Sequence, residues 1–140
     1  ENILDVYTKT IGPERTQRAF GWRAIEKANI RLTFGSDWSV VSPNVMYGLY
    51  TATTRKSRKG LPDEGWIPDQ AVTLQNALKH YTIDGAYGAQ AEAEVGSLEP
   101  GKLADIVVLS HNPFDEPIEQ LLSTKVILTM VDGNIVYESP

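Results

Sequence analysis

The spacing of apolar residues along the chain changes from helical to alternating and back, and these changes mark out the expected elements. Ile3, Leu4, Val6 and Tyr7 are interspersed with polar residues across 2–10, which fits a short helix or turn. Gly12-Pro13 breaks it, and Pro13 suits the first turn of the next helix, where its missing N–H costs little. From Glu14 onward Ala19, Phe20, Trp22, Ala24, Ile25 and Ala28 partly follow helical spacing, with Asn29 as the stop. Ile30, Leu32 and Phe34 then alternate with Arg31 and Thr33, the period of a short strand, which ends at Gly35-Ser36-Asp37.

The mostly apolar run 44–53 predicts a buried helix capped by Ser42 or Asn44. Two Gly, two Pro and several charges make 56–69 a loop. Ala71, Leu74, Ala77, Leu78 and Tyr81 place an amphipathic helix over 69–81, with Thr73 as an alternative cap for its second part. Asp84 is expected to cap a further small-residue helix from Gly85 to about Ala91. Beyond Val95 the pattern turns to strands. Gly96, Pro100 and Gly101 form a turn into the strand Ile106 to Leu109, whose unbroken apolar run suits a strand covered on both faces. Asn112-Pro113 is a turn, Ile118 to Leu122 a short helical turn, and Val126 to Val131 and Ile135 to Tyr137 flank Asp132-Gly133-Asn134 as a hairpin.

The 140 residues suffice for one ordinary core. A net charge of −5 argues against nucleic acid or an anionic membrane as main partner, since phosphate binding needs a basic footprint. The basic cluster Arg55, Lys56, Arg58 and Lys59 has a solvated loop as its ordinary explanation. Without cysteine there is no disulfide, thiolate zinc site or cysteine nucleophile. That absence does not fix the compartment, and the cytoplasm is the working expectation. No apolar run approaches the roughly 20 residues of a membrane span. The chain opens on Glu1 rather than Met, so the natural protein is expected to extend upstream.

Asp37 is the sharpest chemical candidate, because strand C-terminal ends in a β/α barrel face the active site and a carboxylate there can bind metal or take a proton. The bland alternative is a turn or cap residue. His80 and His111 lack ligand spacing and read as a helix-end or surface histidine and a turn histidine. Trp38 stands out among the aromatic residues for its place beside Asp37.

Several segments together resemble one family. Leu32-Thr33-Phe34-Gly35-Ser36-Asp37-Trp38 resembles the last barrel strand of the amidohydrolase superfamily, particularly its YtcJ-like, family 3 branch. Ala52-Thr53-Thr54-Arg55 resembles the helix end that follows, and Ala77 to Thr82 the next helix. Gly96-Ser97-Leu98-Glu99-Pro100-Gly101-Lys102-Leu103-Ala104-Asp105, running into Ile106 to Leu109, is similar to the segment by which these chains leave the barrel, and Val126 to Tyr137 to the closing hairpin. The resemblance covers about residues 12 to 138 in family order.

It implies a C-terminal fragment with an α/β fold, α+β when isolated. Residues 1–92 would be the last strand and helices of a TIM-like barrel and 93–140 part of a small β-sandwich. It implies a parent hydrolase acting on C–N bonds of small amide-type substrates with one or two divalent metals, zinc foremost. Asp37 would bind metal, act as general base and pass a proton to the leaving nitrogen. Arg55 matches a frequent family position without an assigned role, and Trp38 and Arg55 are the candidates for substrate contact. The family's H-x-H, bridging lysine and two further histidines have no counterpart here, so the chain alone is expected to hold no catalytic metal and to be inactive. Unpaired strand edges favour a homo-oligomer. The competing expectations are a non-catalytic regulatory or binding module and a structural domain in which Asp37 is only a cap.

Overall fold

The computed structural model describes residues 3–140; Glu1 and Asn2, the latter counted in the first expected helix, lie outside them. Helix α1 (Ile3–Thr16) is broken at Gly12, whose φ of 78° and ψ of 162° no helix contains, and Pro13 starts its second part. The helix expected to run from Glu14 to Ala28 is divided. The Thr16 hydroxyl donates to the Gly12 carbonyl at 2.7 Å, the chain turns, and α2 (Trp22–Lys27) begins afresh. The turn places Phe20, at a left-handed φ of 51°, edge-on to Tyr7, Trp22 and Trp66. Such ring contacts, about 0.5–1.5 kcal/mol each, offset the backbone cost. Asn29 ends α2 in the left-handed region, as its side chain tolerates.

The alternating segment 30–34 is not a strand. It joins no ladder among the described residues, and the Phe34 N–H donates instead to the His80 carbonyl at 3.1 Å. Alternation reports two faces of different polarity, but a strand also needs a neighbour to pair with, and here a helix end takes that place. Helix α3 (Val45–Thr54) follows, capped by Asn44, whose Oδ1 accepts from the Met46 N–H at 3.0 Å. Helix α4 (Leu74–Tyr81) begins later than Asp69: Pro68–Gln70 is a single 3-10 turn, and Thr73 is the cap, accepting from the Asn76 N–H at 3.1 Å. Helix α5 (Ile83–Gly88) takes Asp84 into its first turn, with Thr82 ahead of it, so Asp84 is no cap; its carboxylate is held by other side chains. The core is built on α3: Met46, Leu49, Tyr50 and Ala52 pack with Val72, Ala77 and Leu121, the last from a 3-10 turn at Ile118–Leu122.

Strands β1 (Ile106–Leu109), β2 (Val126–Val131) and β3 (Asn134–Glu138) form an antiparallel sheet in chain order. Asp132 (φ 48°) and Gly133 (φ 74°) make the tight two-residue turn of the expected hairpin, both residues left-handed. Strand β1 is not covered on both faces: Val107 and Val108 are exposed, and of the described sheet residues only Leu109 packs against the helical core. The chain is thus α+β. None of its described helices is long and apolar enough to cross a membrane.

The segment 96–105 ties helices to sheet. Ser97 Oγ donates to Glu99 at 2.6 Å and accepts from Lys102 Nζ at 2.6 Å. The Ser97 hydrogen bond first, then the Lys102 charge, hold the Glu99 carboxyl below its usual range. Asp105 Oδ1 accepts from the Asp132 N–H at 2.8 Å and the Ala104 carbonyl from the Gly133 N–H at 3.2 Å, so the segment's end anchors the hairpin turn. Gly96 and Gly101 both need positive φ, +91° and +96°. They differ in surroundings: a Cβ on Gly96 would lie 2.6 Å from the Ala86 Cβ, and one on Gly101 would meet nothing. Gly96→Ala should therefore cost about 2–4 kcal/mol, left-handed strain plus overpacking, and Gly101→Ala about 1–2 kcal/mol from strain alone. Urea unfolding of both variants checks this, and equal losses would refute the packing account.

Candidate functional site

The extended segment, the turn after it and the outer side of α3 enclose an open cleft of about 990 Å³. Phe34 reaches its wall because its N–H is fixed to the end of α4 and its ring packs against Trp22, Tyr81 and His80, with centroids 5.2, 5.6 and 4.9 Å away. Arg55 also lines the cleft and ends α3 in a left-handed conformation (φ 60°). Its Nε donates to the Trp66 carbonyl at 2.9 Å and its Nη1 to the Phe20 carbonyl at 3.3 Å. The guanidinium also stacks over Trp22 at 4.3 Å and Trp66 at 5.2 Å. Arg55 is only 5% exposed, so the solvated-loop explanation of the basic cluster fails for it. Burial lowers the guanidinium to about 10, which leaves it cationic at neutral pH. Its Nη2 is enclosed without an acceptor.

Of the expected site residues, Trp38 and Arg55 come together in this cleft. Trp38 is 71% exposed at its mouth. Asp37 lies between the wall residues Ser36 and Trp38, but its own side chain is exposed and outside the wall. Its φ of 47° and its carbonyl, which accepts from the Val40 N–H at 2.7 Å, make it the first residue of a turn. His111 stands apart from the cleft. It joins the Ser110 hydroxyl at 3.1 Å and the Thr124 hydroxyl at 2.8 Å, bracing the turn that precedes β2.

His80 stands in the last turn of α4, a helix-end histidine as expected, but it is not at the surface. It is buried, with Nδ1 2.8 Å from Asp84 Oδ2 and Nε2 2.9 Å from Glu26 Oε1. Asp84, 1% exposed, has Arg31 Nε 3.4 Å and Lys79 Nζ 3.9 Å from its other oxygen. The i,i+4 spacing of His80 and Asp84 is a usable sequence signal. Nothing local points to Glu26, which lies 54 positions from His80. A catalytic metal usually takes at least three protein donors. No group of three or more His, Cys, Asp or Glu side chains among the described residues could hold one. Both ring nitrogens of His80 are engaged by carboxylates, and Asp37 is a single donor. The donors present among the described residues do not fit a complete metal centre.

A model of the amidohydrolase family matches residues 3–137. Over 134 residues the chain is 36% identical to Protein LONG AFTER FAR-RED 3 of Arabidopsis thaliana, a match covering 95% of this chain and 22% of that protein. It is 35% identical over 121 residues to the N-substituted formamide deformylase of Arthrobacter pascens, covering 86% and 22%. An amidohydrolase from Thermotoga maritima superposes with a TM-score of 0.64 at 23% identity, over 86% of this chain and 26% of that one, a likeness of fold. The chain therefore spans about a quarter of the length of these three proteins.

Removing the His80 imidazole would leave two carboxylates facing each other without their shared partner. His80→Ala should cost about 2–4 kcal/mol, because two buried hydrogen bonds are lost and both carboxylates keep unmade acceptor positions. Chemical denaturation with far-UV circular dichroism measures it, and a loss below about 1 kcal/mol, the scale of an exposed pair, would sink the claim.

Proposed function

This chain belongs to the amidohydrolase family, and we propose that it is the C-terminal part of a metal-dependent hydrolase that cleaves C–N bonds in small molecules. The observation that carries this reading is the family match over residues 3–137 by a chain about a quarter as long as its relatives. The formamide deformylase, by its name, works on a C–N bond, which supports the reaction class. In this proposal residues 1–92 complete a β/α barrel, with 30–36 taking up its last strand once neighbours are present, and 93–140 belong to a small β-sandwich. The exposed apolar Val107, Val108, Ile135 and Val136 suit a sheet that other strands cover.

Members of the family generally depend on a divalent metal. Asp37 is the one residue here that we place at that centre, as a ligand and proton acceptor whose other ligands lie outside this chain. Its place in the chain between the cleft residues Ser36 and Trp38 supports the assignment. No group of three or more possible ligands occurs among the described residues, and in this proposal the chain alone is inactive.

Two measurements test this. The reading frame upstream of Glu1 should continue and encode an H-x-H after a short apolar strand. In that longer protein, Asp37→Ala should lower kcat on its amide substrate by about 10²–10⁴-fold, the usual contribution of a general acid or base. A frame that starts near Glu1 would instead favour a regulatory or binding module. Dialysis of the isolated chain against zinc should leave no stoichiometric metal, and retained zinc together with amidase activity would overturn its inactivity.

A further inference from the structure

Glu26 of α2, His80 of α4 and Asp84 of α5 form a row in which one imidazole lies between two carboxylates. Nε2 is 2.9 Å from Glu26 Oε1, and Nδ1 is 2.8 Å from Asp84 Oδ2. A neutral imidazole has one N–H and one lone pair, so it donates to a single carboxylate. At its other nitrogen a carboxylate would set lone pair against lone pair at hydrogen-bond distance. Both contacts are hydrogen bonds only when the row carries one proton more. Of the three side chains imidazole is ordinarily the strongest base, which puts that proton on the ring. The other charged groups that face the row are Arg31 Nε of the extended segment, 3.4 Å from Asp84 Oδ1, and Lys79 Nζ of α4, 3.9 Å from it.

The two ends of the row are unequal. The Asp84 side chain is 2% exposed and that of Glu26 17%. When the extra proton leaves, the remaining N–H stays with Asp84, since the more buried carboxylate loses more by going without it, and the Glu26 contact opens. None of the residues of α2 is buried, and the helix is tied down by side-chain hydrogen bonds at Glu26 and at Ala24, whose N–H donates to Gln70 Oε1 at 3.0 Å. Its first residue, Trp22, stands in the cleft wall against Phe34 and beneath the Arg55 guanidinium. We infer that the row is a proton-operated clasp. With the extra proton in place α2 is held on α4 and the Trp22–Phe34 side of the cleft is set; its loss releases α2 and loosens that side. The inference does not rest on the cleft being part of a hydrolase. Its contribution to stability is present below the ordinary histidine value of about 6.5 and is lost as pH rises to where the folded row gives up its proton.

Tryptophan emission and the ring-nitrogen resonances of the isotope-labelled chain, followed together from about pH 5 to 9, test this. Both should change at one midpoint, with both His80 nitrogens protonated below it. In Glu26→Gln the amide donates to the unprotonated Nε2, so the contact survives without the extra proton. The ring should then titrate at least about one pH unit lower, a tenfold weaker hold on the proton, and the tryptophan change should vanish. His111→Gln, outside both row and cleft, should leave the wild-type midpoint in place. A tryptophan signal that stays flat while the His80 ring loses its proton, an unshifted midpoint in Glu26→Gln, or a transition that disappears with His111 would each overturn the inference. Should Glu26→Gln fail to fold, the wild-type chain decides: its stability to urea must fall as the ring deprotonates, and a stability that holds or rises would sink the clasp.

Discussion

A carboxylate taken out of water must be met by donors or cations, and in this chain that demand falls on Asp84. Its side chain is almost wholly enclosed, and His80, Arg31 and Lys79 converge on it. His80 in turn faces Glu26 through its second nitrogen. These residues come from α2, the extended segment, α4 and α5, so one buried charge fixes four pieces of chain relative to one another. The His80 carbonyl then takes the Phe34 N–H and sets where the extended segment runs. The cleft wall, and with it the position of Ser36 to Trp38, follows from a network containing none of the residues assigned to chemistry.

Arg55 does comparable work on the other side. It closes α3 and gathers the turns at Phe20 and Trp66 onto two indole faces, replacing water around a guanidinium with carbonyls and π-systems. The exchange is incomplete, because one nitrogen keeps no acceptor. A buried donor left without an acceptor is costly, so this wall is held at less than the full strength its contacts could give.

The sheet presents the opposite situation. Its hairpin and its link to the helices are well defined by Asp105, Ala104 and the paired left-handed turn, yet apolar side chains on β1 and β3 remain open. The extended segment likewise has strand character without a partner strand. Both features agree with membership of a family in which matched proteins are some four times longer.

What the residues alone determined was local. Asn44 and Thr73 as caps, the break at Gly12-Pro13, the hairpin at Asp132-Gly133 and the turns at Gly96 and Gly101 were legible because each depends on backbone angles or on hydrogen bonds within a few positions. Only the tertiary structure decided what depends on distant partners. The segment 30–34 lost its strand because pairing needs a neighbour. Asp84 became a buried acceptor rather than a cap because His80, Arg31 and Lys79 converge on it. Arg55 passed from solvated loop to cleft wall because Phe20, 35 positions away, and Trp66, 11 away, supply its acceptors. Periodicity records which side of an element is apolar; it carries no information about which remote charge or carbonyl will face it, and that pairing decided the site.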